Sequence, residues 1–166
     1  MLFACVCMLG LMLAAPPQSW HLQNDLAHEK YKYDHADNAV DRAKTLGKLG
    51  HEEYTAAGQA IDAGKIGEAL QFLKDYNDQA SSTHDALLKT GVDPEKHSNG
   101  FRQLQISVRE REHDLKDVIT RLEFGQRPPF EALEQALDEL NQKLIVELFP
   151  RRPGNKQRNE SQNPQE

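Results

Sequence analysis

The groups on this chain best suited to chemistry are its histidines and carboxylates, and their spacing decides what they could do. His21, His28 and His35 recur every seven residues, with Asp25 and Lys32 between them. On a helix the three share one face, about 120° from the centre of the apolar stripe. Seven residues rise about 10.5 Å, too far for neighbouring imidazoles to share one ion held at about 2.1 Å. The triplet reads first as a solvated face. It is also the one face suited to adventitious metal, a ligand or a mild pH response.

Glu110-Arg111-Glu112-His113 contains the Glu-x-x-His spacing of di-iron bundles, and Asp25-Leu26-Ala27-His28 is a near match. Such ligands must point into the bundle core. Glu110 and His113 lie roughly 160° and 140° from Val108 around a helix, opposite its apolar stripe. Asp25 and His28 are likewise off their stripe, so orientation argues against a di-iron centre. His51-Glu52-Glu53-Tyr54-Thr55 opens like a zinc-protease motif but lacks the second histidine four residues on. There is no haem-attachment motif and no glycine-rich phosphate loop. The Ser and Thr residues have no elbow motif around them. Asp138 and Glu139 fall on the outer face of an amphipathic helix and read as solubilising charge. Asn159-Glu160-Ser161 matches a glycosylation acceptor, relevant only in a eukaryotic secretory route. No catalytic, cofactor-binding or metal-ligating residue is assigned, no cofactor is implied, and the chain is expected not to be an enzyme.

Arg111 occupies the seam position between Val108 and Leu115, where an apolar side chain belongs. One reading is an arginine whose stem covers the core while its head stays wet. The other is a buried pair with an acid on a neighbouring helix.

Helices must position all of these groups. Leu22, Leu26, Tyr33, Ala36, Val40, Ala43, Gly47, Gly50, Tyr54, Ala57 and Ile61 keep a four-three spacing through a segment from about Ser19 to Gly64. Gly47-Lys48-Leu49-Gly50 predicts a turn or kink, because each glycine costs about 1 kcal/mol against alanine in a helix. Ala36, Ala43, Gly50 and Ala57 form a row of small residues that lets a partner backbone approach. Gly64 reads as a C-terminal cap, and a helix from about Lys65 carries Ile66, Ala69, Leu70, Leu73, Tyr76, Ala80, Thr83 and Leu87. Gly91 stops it. Asp93-Pro94-Glu95 then predicts a helix start, and Ser98-Asn99-Gly100 a bend or fray. That helix carries Phe101, Leu104, Val108, Leu115, Val118 and Leu122. After a turn at 125–129, Phe130, Leu133, Leu137, Leu140, Leu144 and Leu148 define the last helix, ended by Pro150. The expected fold is all-α, an antiparallel up-down bundle of four to five amphipathic helices over residues 16–149.

The ends differ in kind from this body. Met1 to Ala15 is an uncharged apolar run with small residues at its end, the core and cut of a secretory signal without the usual basic start. A bilayer span needs about 20 apolar residues, so the run is short for one. We expect an export signal, with an uncleaved anchor as the alternative, and a periplasmic or extracellular address. Cys5 and Cys7 both lie in this leader. Cleavage would therefore remove disulfide, thiolate and Cys-ligated metal chemistry together. Residues 150–166 are polar, rich in Asn, Gln and Pro, and are expected to be a disordered tail.

The net charge is −6, of which the tail after Pro150 contributes +2 and the helical body −8. An acidic body is a poor candidate for nucleic acid or anionic lipid. The expected partner is another protein, with no nucleic acid and no stable membrane span once the leader is removed.

Tyr54 to Leu70, read as Tyr54-Thr55-Ala56-Ala57-Gly58-Gln59-Ala60-Ile61-Asp62-Ala63-Gly64-Lys65-Ile66-Gly67-Glu68-Ala69-Leu70, resembles the turn of a tetratricopeptide hairpin. In that family an alanine-rich helix meets a glycine turn and a Glu-Ala-Leu element opens the second helix. The resemblance covers about one repeat, and arrays need three or more. It implies an antiparallel helical hairpin. The whole layout, with its Pro-Pro-Phe-Glu-Ala-Leu opening at Pro128 to Leu133, resembles small exported, uncharacterised helical proteins of bacteria and implies no activity. The leading expectation is a non-catalytic exported bundle acting through protein contacts, as a scaffold, adaptor or envelope accessory factor. The alternative is a ligand- or metal-binding bundle using the His21, His28 and His35 face.

Overall fold

The computed structural model describes residues 19–150, with side chains from Gln23 onward; the leader and the polar tail lie outside the described residues. Among the described residues there are five α-helices and no strand: α1 (Ser19–Asp34), α2 (Ala39–Asp62), α3 (Ile66–Lys89), α4 (Asn99–Arg121) and α5 (Pro128–Leu148). A single 3-10 turn, Phe124–Gln126, joins α4 to α5. Residue contacts show α2 to α5 running antiparallel, each to the next: Glu53 meets Gln79 while Ala60 and Glu68 line one cleft near the turn, Tyr76 meets Ser107 while Leu87 meets Gly100, and Lys116 meets Glu134 while Gln105 meets Asn141. The fold is the all-α bundle that the periodicity predicts.

The first break is not where the glycines suggest. α2 runs unbroken through Gly47 and Gly50, and the chain turns instead over His35–Asn38. Asn38 is extended (φ −152°, ψ 171°), and its Oδ1 accepts the Asp41 N–H at 2.9 Å. That side chain caps the helix, and the acid at Asp41 favours the same end through the helix dipole. The glycines stay helical because packing overrides their propensity. An ideal Cβ at Gly50 would lie 2.8 Å from Tyr76 Cδ2 and 3.4 Å from Arg111 Cδ, so only glycine admits this approach of α3 and α4. Gly47 is different, since its ideal Cβ would meet nothing nearer than Ser107 Oγ at 4.0 Å.

The second correction lies at the α3–α4 connection. Asp93-Pro94-Glu95 does form a start, with Glu95 N–H donating to Asp93 Oδ1 at 3.0 Å and His97 N–H to Asp93 O at 2.9 Å. It closes one turn only, and α4 begins at Asn99. Gly100 fixes that start, because an ideal Cβ there would be 2.6 Å from Leu87 Cδ2 and 3.2 Å from Val40 Cγ2. The caps at Gly64 (φ +73°) and Gly91 (φ +70°) adopt the left-handed conformation that glycine tolerates.

The core forms one cluster from all five helices. Tyr33 comes from α1, Leu46 and Leu49 from α2, Leu73 and Tyr76 from α3, Leu104, Val108 and Leu115 from α4, and Phe130, Leu137 and Leu144 from α5. The small row works as expected on α2, where Ala43, Gly50 and Ala57 are buried. Ala36 falls in the turn and is only half-buried.

The two glycines should respond oppositely to alanine. Gly47→Ala should stabilise the fold by up to about 1 kcal/mol, the propensity gain alone. Gly50→Ala should destabilise it by about 1–3 kcal/mol through overpacking against Tyr76. Urea unfolding of the two variants checks both signs.

Candidate functional site

Polar side chains run through this core in pairs, and each tethers one helix to another. Tyr33 Oη donates to Gln79 O at 2.9 Å and lies 2.9 Å from Thr83 Oγ1, joining α1 to α3. Gln79 Nε2 donates to Glu53 Oε1 at 2.8 Å, joining α3 to α2. Tyr76 Oη and Ser107 Oγ are 2.8 Å apart. Asn141 on α5 donates to Glu112 Oε2 at 3.2 Å and accepts from Gln105 Nε2 at 3.0 Å. His84 Nε2 lies 2.9 Å from Glu147 Oε2, linking α3 to α5.

Glu53 is the most unusual of these groups. It is only 2% exposed, and its Oε2 is buried without a hydrogen-bond partner. Burial pushes its carboxyl up to about 8; the Gln79 hydrogen bond pulls it down, Asp75 pushes it up and Lys30 pulls it down. Burial also raises the Tyr54 and Tyr76 phenols well above the ordinary phenol range. A neutral carboxyl at neutral pH resembles a general acid, but Glu53 is sealed between helices, where no substrate reaches it. Its effect is on stability.

Arg111 follows neither of its two readings fully. It is buried to 9% exposure, and its guanidinium lies 5.5 Å from the Tyr54 ring centroid. Its ion pairs are with Asp114 at 2.9 Å and Glu110 at 3.7 Å, both on its own helix rather than a neighbouring one. The stem passes close to Gly50, and the head, itself largely buried, meets the more exposed carboxylates of Asp114 and Glu110 along α4.

The histidine triplet is not assembled into a site. His28 and His35 are exposed, and His35 stacks on Tyr31 with centroids 3.9 Å apart, its Nδ1 2.9 Å from Tyr31 O. The His21 side chain lies outside the described residues. Glu110, His113, Asp25, His51, Asp138 and Glu139 all sit on outer faces, as their helical angles predict, except that Glu110 reaches Arg111. Among the described residues, no three His, Cys, Asp or Glu side chains are grouped to hold a metal ion.

The open features are grooves. One of about 560 Å³ lies at the end of the bundle where α2, α3 and α4 meet. Val40, Leu87 and Phe101 line it, Val92 forms its lip, and Lys96 and His97 stand on the α3–α4 connection at its rim. Val92 is itself an exposed apolar residue. The close Gly100 contact makes the floor, because it draws α4 against Leu87 and Val40. Sequence periodicity could not find this groove, which depends on where α4 starts rather than on which residues face inward. Set against protein-family models, curated proteins and solved structures, the chain matches none.

Glu53 gives the fold a definite pH dependence. Its folded value, about 8, exceeds the ordinary 4.5, so the folded state binds more protons between those limits. Its contribution is fully present below about pH 4.5 and is lost as pH rises through about 8. Glu53→Gln should therefore raise the melting temperature at about pH 9, and the gain should vanish near pH 5. Thermal melts of both proteins across that range check the sign.

Proposed function

We propose that this protein is an exported, non-catalytic helical bundle that acts through contacts with other proteins, as a scaffold, adaptor or envelope accessory factor. The observation that carries this reading is the apolar groove at the meeting of α2, α3 and α4. Its floor of Val40, Leu87 and Phe101 suits one or two apolar anchor side chains of a partner chain, and its polar rim suits the backbone around them. The buried polar tethers support a binding role over a catalytic one, since they are spent on joining helices. The apolar leader Met1 to Ala15 supports export.

A photo-crosslinking residue at Val92, with a control at the exposed Lys74 of α3, tests the reading in intact cells. The expected result is an adduct with a second, different protein at Val92 and none at Lys74. Recovering only this protein, or equal adducts at both positions, would contradict it.

A further inference from the structure

Two of the buried acceptors that lack a partner belong to one bonded pair. Gln79 Nε2 on α3 donates to Glu53 Oε1 on α2 at 2.8 Å, while Glu53 Oε2 and Gln79 Oε1 are both buried and both unpartnered. With the carboxyl ionised each of these oxygens can only accept, so neither can satisfy the other. A proton on Glu53 Oε2 changes that, because the oxygen becomes a donor and the same Gln79 amide supplies its acceptor. The pair then closes on itself, N–H to O on one side and O–H to O on the other. One proton accounts for both orphaned atoms.

We propose that Glu53 and Gln79 share this proton in a closed acid–amide pair, and that the pair is a pH-sensitive latch holding α1 down on α2 and α3. α1 is the helix such a latch would release. Its one buried side chain among the described residues is Tyr33, helped by the partly buried Leu26. The Tyr33 hydroxyl bonds the backbone carbonyl of Gln79 and Thr83 Oγ1, so α1 is fastened to the residue that carries the pair. The rest of the seam is poorly satisfied. Glu29 Oε2 on α1 and Nε of Arg42, whose guanidinium lies against the Tyr33 ring, are buried without partners. Elements with few buried apolar contacts open first, and water entering this seam would solvate several polar atoms at once.

The surroundings of Glu53 set the sense of the switch. Burial is the largest influence and keeps the proton on; the Gln79 hydrogen bond opposes it, Asp75 of α3 supports it and Lys30 of α1 opposes it. The phenols of Tyr33, Tyr54 and Tyr76 are raised by burial and stay neutral. Arg111 of α4, beyond Tyr54, is paired with Asp114, and Glu29 is paired with Lys32. With α1 docked the Glu53 carboxyl titrates at about 8, and with water admitted it returns toward 4.5. The docked state therefore holds the extra proton between those limits. Its contribution to docking is fully present below about pH 4.5, falls about tenfold per pH unit above it, and is lost as pH rises through about 8. The proton passes to water, leaving two acceptors face to face.

Two measurements on the full chain test the latch. Infrared spectra at about pH 6.5, where ordinary carboxyls are ionised, should show a protonated-carboxyl band that Glu53→Gln removes. Amide exchange read by mass spectrometry tests the release, with wild type and Glu53→Gln compared at each pH so that intrinsic rates cancel. The variant's amide can donate and accept in the same places, so its pair stays closed at every pH. The excess of wild-type over variant exchange in residues 23–34 should grow at least tenfold between about pH 5 and about pH 8. Those residues should also exchange ahead of residues 104–118 of α4. Tyr33→Phe, which cuts the tether but leaves the proton, should speed α1 exchange at both pH values and keep the infrared band. Circular dichroism confirms that the variants fold. Absence of the band, an α1 response that Glu53→Gln leaves unchanged, or α1 and α4 exchanging in step at every pH would each overturn the proposal.

Discussion

The approach of Tyr76 and Arg111 to the bare backbone at Gly50 is the contact on which the bundle depends. Three helices meet there. The Tyr76 ring lies over α2 where a Cβ would collide with it, and the Arg111 stem passes the same spot from α4. Tyr54, one turn further along α2, packs edge-on against Tyr76 with centroids 5.5 Å apart and carries the Arg111 guanidinium on its own face. A composition poor in large aliphatic residues is thus compensated by aromatic rings seated on small residues. Dispersion contacts accumulate when backbones come close, so the small row substitutes for bulk.

That solution places polar atoms in the interior. Tyr76 brings a hydroxyl that Ser107 satisfies, and Tyr33 brings one that Thr83 and the Gln79 carbonyl satisfy. Glu53 is less well provided for, and burial holds its carboxyl up near 8. Such tethers add little net stability apiece. They do favour one arrangement over its slipped alternatives, since a shifted helix would leave several buried polar groups unpaired at once. A rigid frame of this kind suits surfaces that act by presenting groups in fixed positions. The groove floored by Val40, Leu87 and Phe101 is one such surface.

Much of this frame is legible in the residue order. The inward stripe of α4, from Phe101 through Leu122, is buried throughout, and that of α5 departs only at the half-buried Leu133. Periodicity succeeds there because one side of each helix faces the core. It fails at Gly47 and Gly50 because propensity describes an isolated helix, whereas Tyr76 makes glycine the only residue that fits at position 50. The true break had a local signal, Asn38 three residues before Asp41, a side-chain cap followed by an acid. Glu53, Ser107, Glu112 and Asn141 are buried although their types suggest exposure, and only contacts between helices reveal their partners. The grooves needed more still. Arg102, Arg109 and Phe149 are far apart in sequence, and antiparallel packing of α4 on α5 sets them along one groove.

The dependence of the fold on the Gly50 contact is open to a direct measurement, a double-mutant cycle between Gly50→Ala and Tyr76→Ala read by urea unfolding. Removing the Tyr76 ring frees the space an alanine methyl would occupy. Gly50→Ala should then lose its cost in the Tyr76→Ala background, giving a coupling energy of at least about 1 kcal/mol between the two sites. Costs that add to within about 0.5 kcal/mol would show the two positions to be independent and would contradict the account.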